Sequence, residues 1–422
     1  MLSSRIPSRT TASSTVNKGG NRYRVGAFMV ALATFLCVFP TLRLPGVYVT
    51  LSDGLFVVGT ILIGGVRIRS GARSQLVRGP AVWLFGCTLL FLGLSLSSIL
   101  NGDATRALVV IAQYAFAYLL VPAIFVSLTK SESMLVSHWF IVGVGAVTLA
   151  GIILHYFFPI LGAQYMVGGR MSSFMENPNA LSKVIALALP IWLYCWSTQA
   201  KHRALYALLV PVFITGLLLA GSFGGLIASA LSLSLFLLLA GNTRLMSRTI
   251  GMGLVVVVAA LLTGIEPPPI FERRIAPALQ SGSIDEAGSF DLKMELSRGA
   301  WRRIQESPIL GVGADQYQEL TSEGSTVHNT YLLLWVEGGI LSVLGWCAML
   351  TALVAAGLSS WRSKRARIQS AVVLSVALTF IFSCFSNTHV YARYWGIPVF
   401  ISLLILINSR STCDRESLYS SN

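Results

Sequence analysis

Charge is scarce in this chain. Asp, Glu, Lys and Arg make up 11% of its 422 residues, against 54% hydrophobic ones, whereas a soluble domain carries roughly 25% charge. That shortage excludes an ordinary soluble globular protein and points to a polytopic membrane protein. Cysteine is sparse and badly placed for chemistry. Cys37, Cys87, Cys195, Cys347 and Cys384 lie in apolar stretches and Cys413 in the tail. No pair has metal-ligand spacing, and none sits in an outer loop, which argues against a disulfide framework. There is no solenoid period and no second soluble domain.

What the chain has is apolar length. A helix needs about 20 apolar residues to cross the hydrocarbon core. Twelve stretches reach that length, at approximately 25–44, 47–65, 80–100, 106–128, 134–156, 177–196, 204–220, 223–241, 248–265, 328–357, 368–386 and 391–408. Only Gly221-Ser222 separates the seventh from the eighth, so eleven or thirteen helices stay open. The expected fold is an all-α polytopic membrane protein of about 12 transmembrane helices, with one long outer loop carrying a surface helix.

The net charge of +14 would suggest nucleic acid in a soluble protein. Here its distribution matters more. With both termini in the cytoplasm, 20 of the 31 Lys and Arg fall on the inner side, in the lead, the short loops and the tail. The positive-inside rule supports that orientation. No aromatic platform interleaves these cations, so nucleic acid is not expected as a partner. The expected organisation is a disordered cytoplasmic lead (1–24), a membrane unit (25–408) with its long loop at 266–327, and a cytoplasmic tail (409–422). The first apolar segment is too long for a cleavable signal.

Two loops fall on the outer side and are larger than the rest. One runs from about Phe157 to Glu176; the other is 266–327. In the second, Pro267-Pro268-Pro269 stops the preceding helix, and Ser281-Gly282-Ser283 with Gly288-Ser289 gives a flexible middle. From Asp291 to Glu306, Leu292, Leu296, Ala300 and Ile304 recur at helical spacing, which predicts an amphipathic surface helix. Ser307-Pro308 ends it before the turn at Gly311-Val312-Gly313.

Several residues carry chemistry. His328 closes the long loop, and a neutral imidazole there suits a general base; the bland reading is an interfacial histidine satisfied by water. Arg170 lies seven residues before Asn177-Pro178-Asn179, on the side where cations are rare. A guanidinium fork binds phosphate oxygens bidentately, and its alternative is snorkelling to a lipid headgroup. Arg298, Arg302 and Arg303 cluster on the surface helix, with Arg298 the first choice for a substrate contact. Asp53, Lys183, Glu337 and Arg393 lie in or near helices, where unpaired charge is costly; site roles and structural pairing are both open for them. Lys183 follows Asn179 by one turn and could face the cavity of Arg170. No Asp-x-Asp or paired-carboxylate motif marks a metal-dependent sugar transferase, and Gly311-Val312-Gly313 lacks the dinucleotide-binding pattern. No metal and no cofactor are expected, so substrate charge falls to arginines.

Taken together, Arg170…Asn177-Pro178-Asn179-Ala180, Pro308-Ile309-Leu310-Gly311-Val312-Gly313 and His328-Asn329-Thr330-Tyr331-Leu332…Glu337-Gly338-Gly339-Ile340 resemble the O-antigen ligase/polymerase superfamily, over about residues 165–345. The resemblance implies a metal-independent glycosyltransferase of the bacterial inner membrane, working at the periplasmic face. Its donor would be an undecaprenyl-diphosphate-linked oligosaccharide, and its acceptor a lipid A core or another glycan. By position, Arg170 and His328 match the family's arginine and histidine, and Arg298, three before Trp301, matches its loop-helix arginine, with Arg302 and Arg303 adjoining. Asn329 and Glu337 come with the motif as supporting residues. One departure stands out. Family members often have Ser-Arg where this chain has Ser222-Phe223.

Two other classes compete. A multi-helix transporter would show internal pseudo-symmetry and charged midplane residues, whereas the polar residues here gather at one face. A structural flippase partner would not require His328.

Overall fold

Within a bilayer, backbone N–H and C=O groups find partners only inside a helix or a closed barrel, so long apolar runs become helices. A computed structural model describes residues 12–43, 49–70, 80–264, 266–282, 290–321 and 324–420. The helices of the membrane unit are α1 Ala12–Leu36, α2 Leu51–Ser70, α3 Pro80–Asn101, α4 Ala104–Phe125, α5 Lys130–Phe157, α6 Pro178–Thr198, α7 Arg203–Ala220, α8 Phe223–Ala240 and α9 Thr243–Leu262. In the long loop, α10 Pro269–Arg274, α11 Ala276–Ser281 and α12 Phe290–Glu306 follow. The bundle closes with α13 Thr330–Trp361, α14 Arg367–Cys384 and α15 Arg393–Ser420. Among the described residues nine helices are long and apolar enough to cross a membrane, and 51–65 and 393–409 form two shorter apolar helices.

The break at Gly221-Ser222 makes two helices of α7 and α8. Gly221 takes the left-handed conformation, with φ 52°, as C-cap of α7, and the Ser222 hydroxyl accepts from Gly225 N to cap α8. Helix α1 already starts at Ala12, inside the lead, and α15 runs on to Ser420, past 408. A helix nucleated in the membrane elongates one hydrogen bond per residue, and no proline follows Pro7 or Pro398 to stop either extension. Residues 283–289, including most of the expected flexible middle, lie outside the described residues.

Helix α6 is the centre of the bundle: 83% of its apolar window is buried, against 6% for α9. Helix α9 packs chiefly on α7 and leaves most of its length open. The kinked α13 packs along α3. Its kink is at Gly339, where φ is 69° and a helical hydrogen-bond ladder cannot continue. The break frees the carbonyls of Val336 and Glu337, which accept from Val312 N at 2.8 Å and Gly313 N at 3.0 Å. Ser97 Oγ accepts from Gly311 N, and Asn101 Nδ2 donates to Gly311 O, both at 2.9 Å. A Cβ on Gly311 would collide with the Glu337 backbone. The Pro-Ile-Leu-Gly-Val-Gly turn therefore pins the end of the long loop into a broken helix.

The surface helix forms as expected, one residue longer at its start. Leu296, Ala300 and Ile304 are buried, but Leu292 is 43% exposed. At about 100° per residue, Leu292 stands about 120° from Ile304 around the axis, while Lys293 stands only about 20° away. The inward face of α12 thus carries a lysine.

Candidate active site

Met166–Val167 (β1) and Arg170–Met171 (β2) pair as a minimal antiparallel hairpin. Gly168 and Gly169, with φ 59° and 73°, supply the two left-handed residues that a two-residue turn of this twist demands. The hairpin delivers Arg170 to the gap between α6 and α7. There Nε donates to Ala220 O at 2.9 Å and a terminal nitrogen to Asn179 Oδ1 at 2.7 Å. Ser222 Oγ donates to the same Asn179 oxygen at 2.9 Å. Both partners of the guanidinium are neutral, so its charge is oriented without being cancelled.

Lys183, one turn along α6, is buried. Its ammonium donates to Ser386 O at 2.9 Å, Ser386 Oγ at 2.7 Å and Asn387 Oδ1 at 2.9 Å. These partners again carry no charge. Between Arg170 and Lys183 opens a small cavity of about 60 Å³, walled also by Asn179, Phe223, Arg274 and Lys293. A water needs about 10–15 Å³ on this measure, so the space holds several, enough for a phosphate-sized group. Among the described residues no acidic one lines it. The crowding of like charge leaves a mark. Burial, then Arg274, pulls the Arg170 pKa down to about 10, and Lys293 is lowered by burial, then by Arg170 and Arg274. Arg170 remains a cation at neutral pH.

His328 stands next to this group, just before Asn329 caps α13 by accepting from Tyr331 N and Leu332 N. Its ring is exposed on one side and makes no hydrogen bond among the described residues. Its pKa is lowered, first by partial burial, then by Lys293, Lys183 and His389. It is therefore neutral at pH 7 and free to accept a proton.

Of the residues singled out from sequence, the fold brings together Arg170, Lys183 and His328. Asn329 serves as the helix cap beside them. Arg298, Arg302 and Arg303 are exposed and stay off the cavity wall. On a helix whose inward face is set by Ile304, Arg298 and Arg302 sit about 120° and 160° away. Arg303 pairs with Glu306 at 2.9 Å. Glu337 is buried in α13, and its carboxyl takes the backbone N–H groups of Asp315 and Tyr317; it holds the loop. Asp53 and Arg393 form a buried ion pair at 2.6 Å between α2 and α15. Sequence reasoning missed Arg274 and Lys293. The signal for Lys293 was present in its angular register with Ile304; Arg274, in a six-residue helix after the triple proline, offered none.

Residues 207–347 match the O-antigen ligase family model. This segment, about one third of the chain, spans Phe223, Arg274, Lys293, His328 and the Gly339 kink. The match agrees with the resemblance that the motifs carry, and the nine apolar helices agree with an integral membrane protein. Arg170, Asn179 and Lys183 lie before the matched residues, so the cationic cavity joins groups of the matched segment to groups from outside it. No curated protein matches the chain.

Proposed function

We propose that this protein transfers a glycan from a polyprenyl-diphosphate carrier to an acceptor hydroxyl, at the periplasmic face of a bacterial inner membrane. The reading takes twelve spans, counting α1, α2 and α15 with the nine longer ones, and puts both termini in the cytoplasm. Alternation then brings the Arg170 hairpin and the 266–327 loop to one side. The observation that carries the proposal is the cavity walled by Arg170, Lys183, Arg274 and Lys293, with no acid lining it among the described residues. Four clustered cations are costly to assemble near a membrane, and a diphosphate answers that charge.

The chemistry follows. The acceptor oxygen bonds to the anomeric carbon as the bond from that carbon to the phosphate oxygen breaks. The electron pair leaves on the diphosphate, where the fixed cations stabilise the growing charge without reorganising. His328 takes the hydroxyl proton. Arg274 and Lys293 occupy the role that the family's Ser-Arg arginine would have at Phe223, whose ring lines the same cavity. The acceptor is a lipid A core in the ligase form of this reaction and another repeat unit in the polymerase form.

The test uses purified protein with a lipid-linked oligosaccharide donor, chelator present, reading release of polyprenyl diphosphate. His328→Ala is expected to lose 10²–10⁴-fold in rate, about 3–5 kcal/mol of barrier, with normal membrane insertion. Near-normal transfer by that variant would reduce His328 to a loop residue, and loss of wild-type transfer on chelation would overturn the metal-free chemistry.

A further inference from the structure

A second cavity, about 400 Å³, lies at the far end of α6 from Arg170, between the starts of α7 and α9. Arg203, Arg244 and Arg248 line it with Trp196, Asn242 and Leu245, and no acidic residue does. Asn242 caps α9. None of the three arginines makes an ion pair or side-chain hydrogen bond among the described residues. A neighbour shows the contrast: Arg367 donates to Leu239 O at 3.0 Å and stacks on Trp361 at 5.7 Å, so it is already committed.

Beyond the cleft, α9 carries lipid-facing surface in register with its arginines: Val255 and Leu262 are 67% and 83% exposed and stand about 20° and 40° from Arg248 around the helix axis. Among the described residues α9 packs chiefly on α7. A ligand seated among the arginines therefore has an apolar track running from its charged end into the membrane. Trp196 sits at the junction, where an amphipathic ring is favoured. A soluble phosphate would use the cations and leave the track empty; an amphiphile uses both.

We propose that this cleft binds the headgroup of an anionic phospholipid, on the membrane face opposite the transfer site. The three guanidiniums hold the phosphate oxygens, and the acyl chains lie along Val255 and Leu262 on α9. The site is separate from the glycan chemistry and does not depend on that reading.

Delipidated full-length protein in detergent, titrated with phosphatidylglycerol or phosphatidylcholine and read by native mass spectrometry, tests this. Phosphatidylglycerol should bind at least tenfold tighter. Substituting Arg203→Gln, Arg244→Gln and Arg248→Gln together should erode the preference by about fivefold per arginine, and lysine at all three positions should retain most of it. Should the triple glutamine variant not fold, Arg248→Gln alone carries the test with about a fivefold loss. Equal binding of the two lipids, or an unchanged preference in the glutamine variants, would overturn the site. Displacement of phosphatidylglycerol by millimolar inorganic phosphate would also overturn it, by marking a soluble-anion site.

Discussion

Arg393 and Lys183 are both buried near the same end of the bundle, 9% and 2% exposed. Arg393 meets Asp53 through two nitrogens, at 2.6 and 3.1 Å, and lies over the Phe116 ring at 4.5 Å. Lys183 meets only a backbone carbonyl, a hydroxyl and an amide oxygen. The first arrangement cancels charge and joins α2 to α15. The second solvates an ammonium while leaving its charge to be answered, and it recurs at Arg170. The difference separates a cation that holds the fold from one that waits for an anion.

The largest expected effect tests the cancelled pair. Asp53→Ala strands a buried guanidinium and should destabilise the protein by about 3–5 kcal/mol, seen as a lowered unfolding transition in detergent, while the folded remainder still transfers glycan. Lys183→Met should do the reverse, keeping the transition and losing transfer. If both variants lose stability alike, the contrast between the two cations is gone.

A middle-sized effect sharpens the comparison within the site. Lysine at position 170 keeps charge but loses the planar fork. Arg170→Lys should cost on the order of tenfold in kcat/KM for the donor, the worth of one charge-assisted hydrogen bond of roughly 1.5 kcal/mol. Lys293→Gln and Arg274→Gln should fall by similar factors, and Arg298→Gln, on the outer face of α12, by less than about twofold, the usual size for an exposed charge. An Arg298 variant as impaired as the Lys293 one would return the phosphate contact to the exposed face.

The smallest effect is a displacement in pH. His328 must be neutral to accept a proton, and its pKa is lowered by burial and then by Lys293. Transfer should therefore fall only as pH drops below the ordinary imidazole range. Removing the Lys293 charge raises the His328 pKa, so Lys293→Gln should move the acidic limb of kcat/KM against pH upward. A limb that stays in place would uncouple Lys293 from the histidine.

Much of this was legible before any coordinates. Hydropathy located the apolar helices, nine of which are long enough to cross a membrane among the described residues, because a bilayer tolerates no other backbone arrangement, and the proline and glycine pairs around α12 bounded it within one residue. Arg170 and His328 stood out because a cation on the cation-poor side and an imidazole at a span's edge are both unusual. The helical register of Lys293 was also written in the sequence, hidden by a four-residue spacing that drifts around the helix.

By itself the sequence determined which segments are apolar and long enough to form spanning helices, and which residue types were available for anion chemistry. These depend on local transfer energies and on spacing along the chain. Only the tertiary structure decided which cations share a cavity. Arg170, Lys183, Arg274 and Lys293 are separated by up to 123 residues, and their meeting depends on a hairpin, a helix break at Gly221 and an amphipathic loop helix all packing at one end. It likewise decided which buried charges are cancelled, since Asp53 reaches Arg393 across 340 residues. Coulomb energy and desolvation act through space, and nothing in the linear order of residues records that distance.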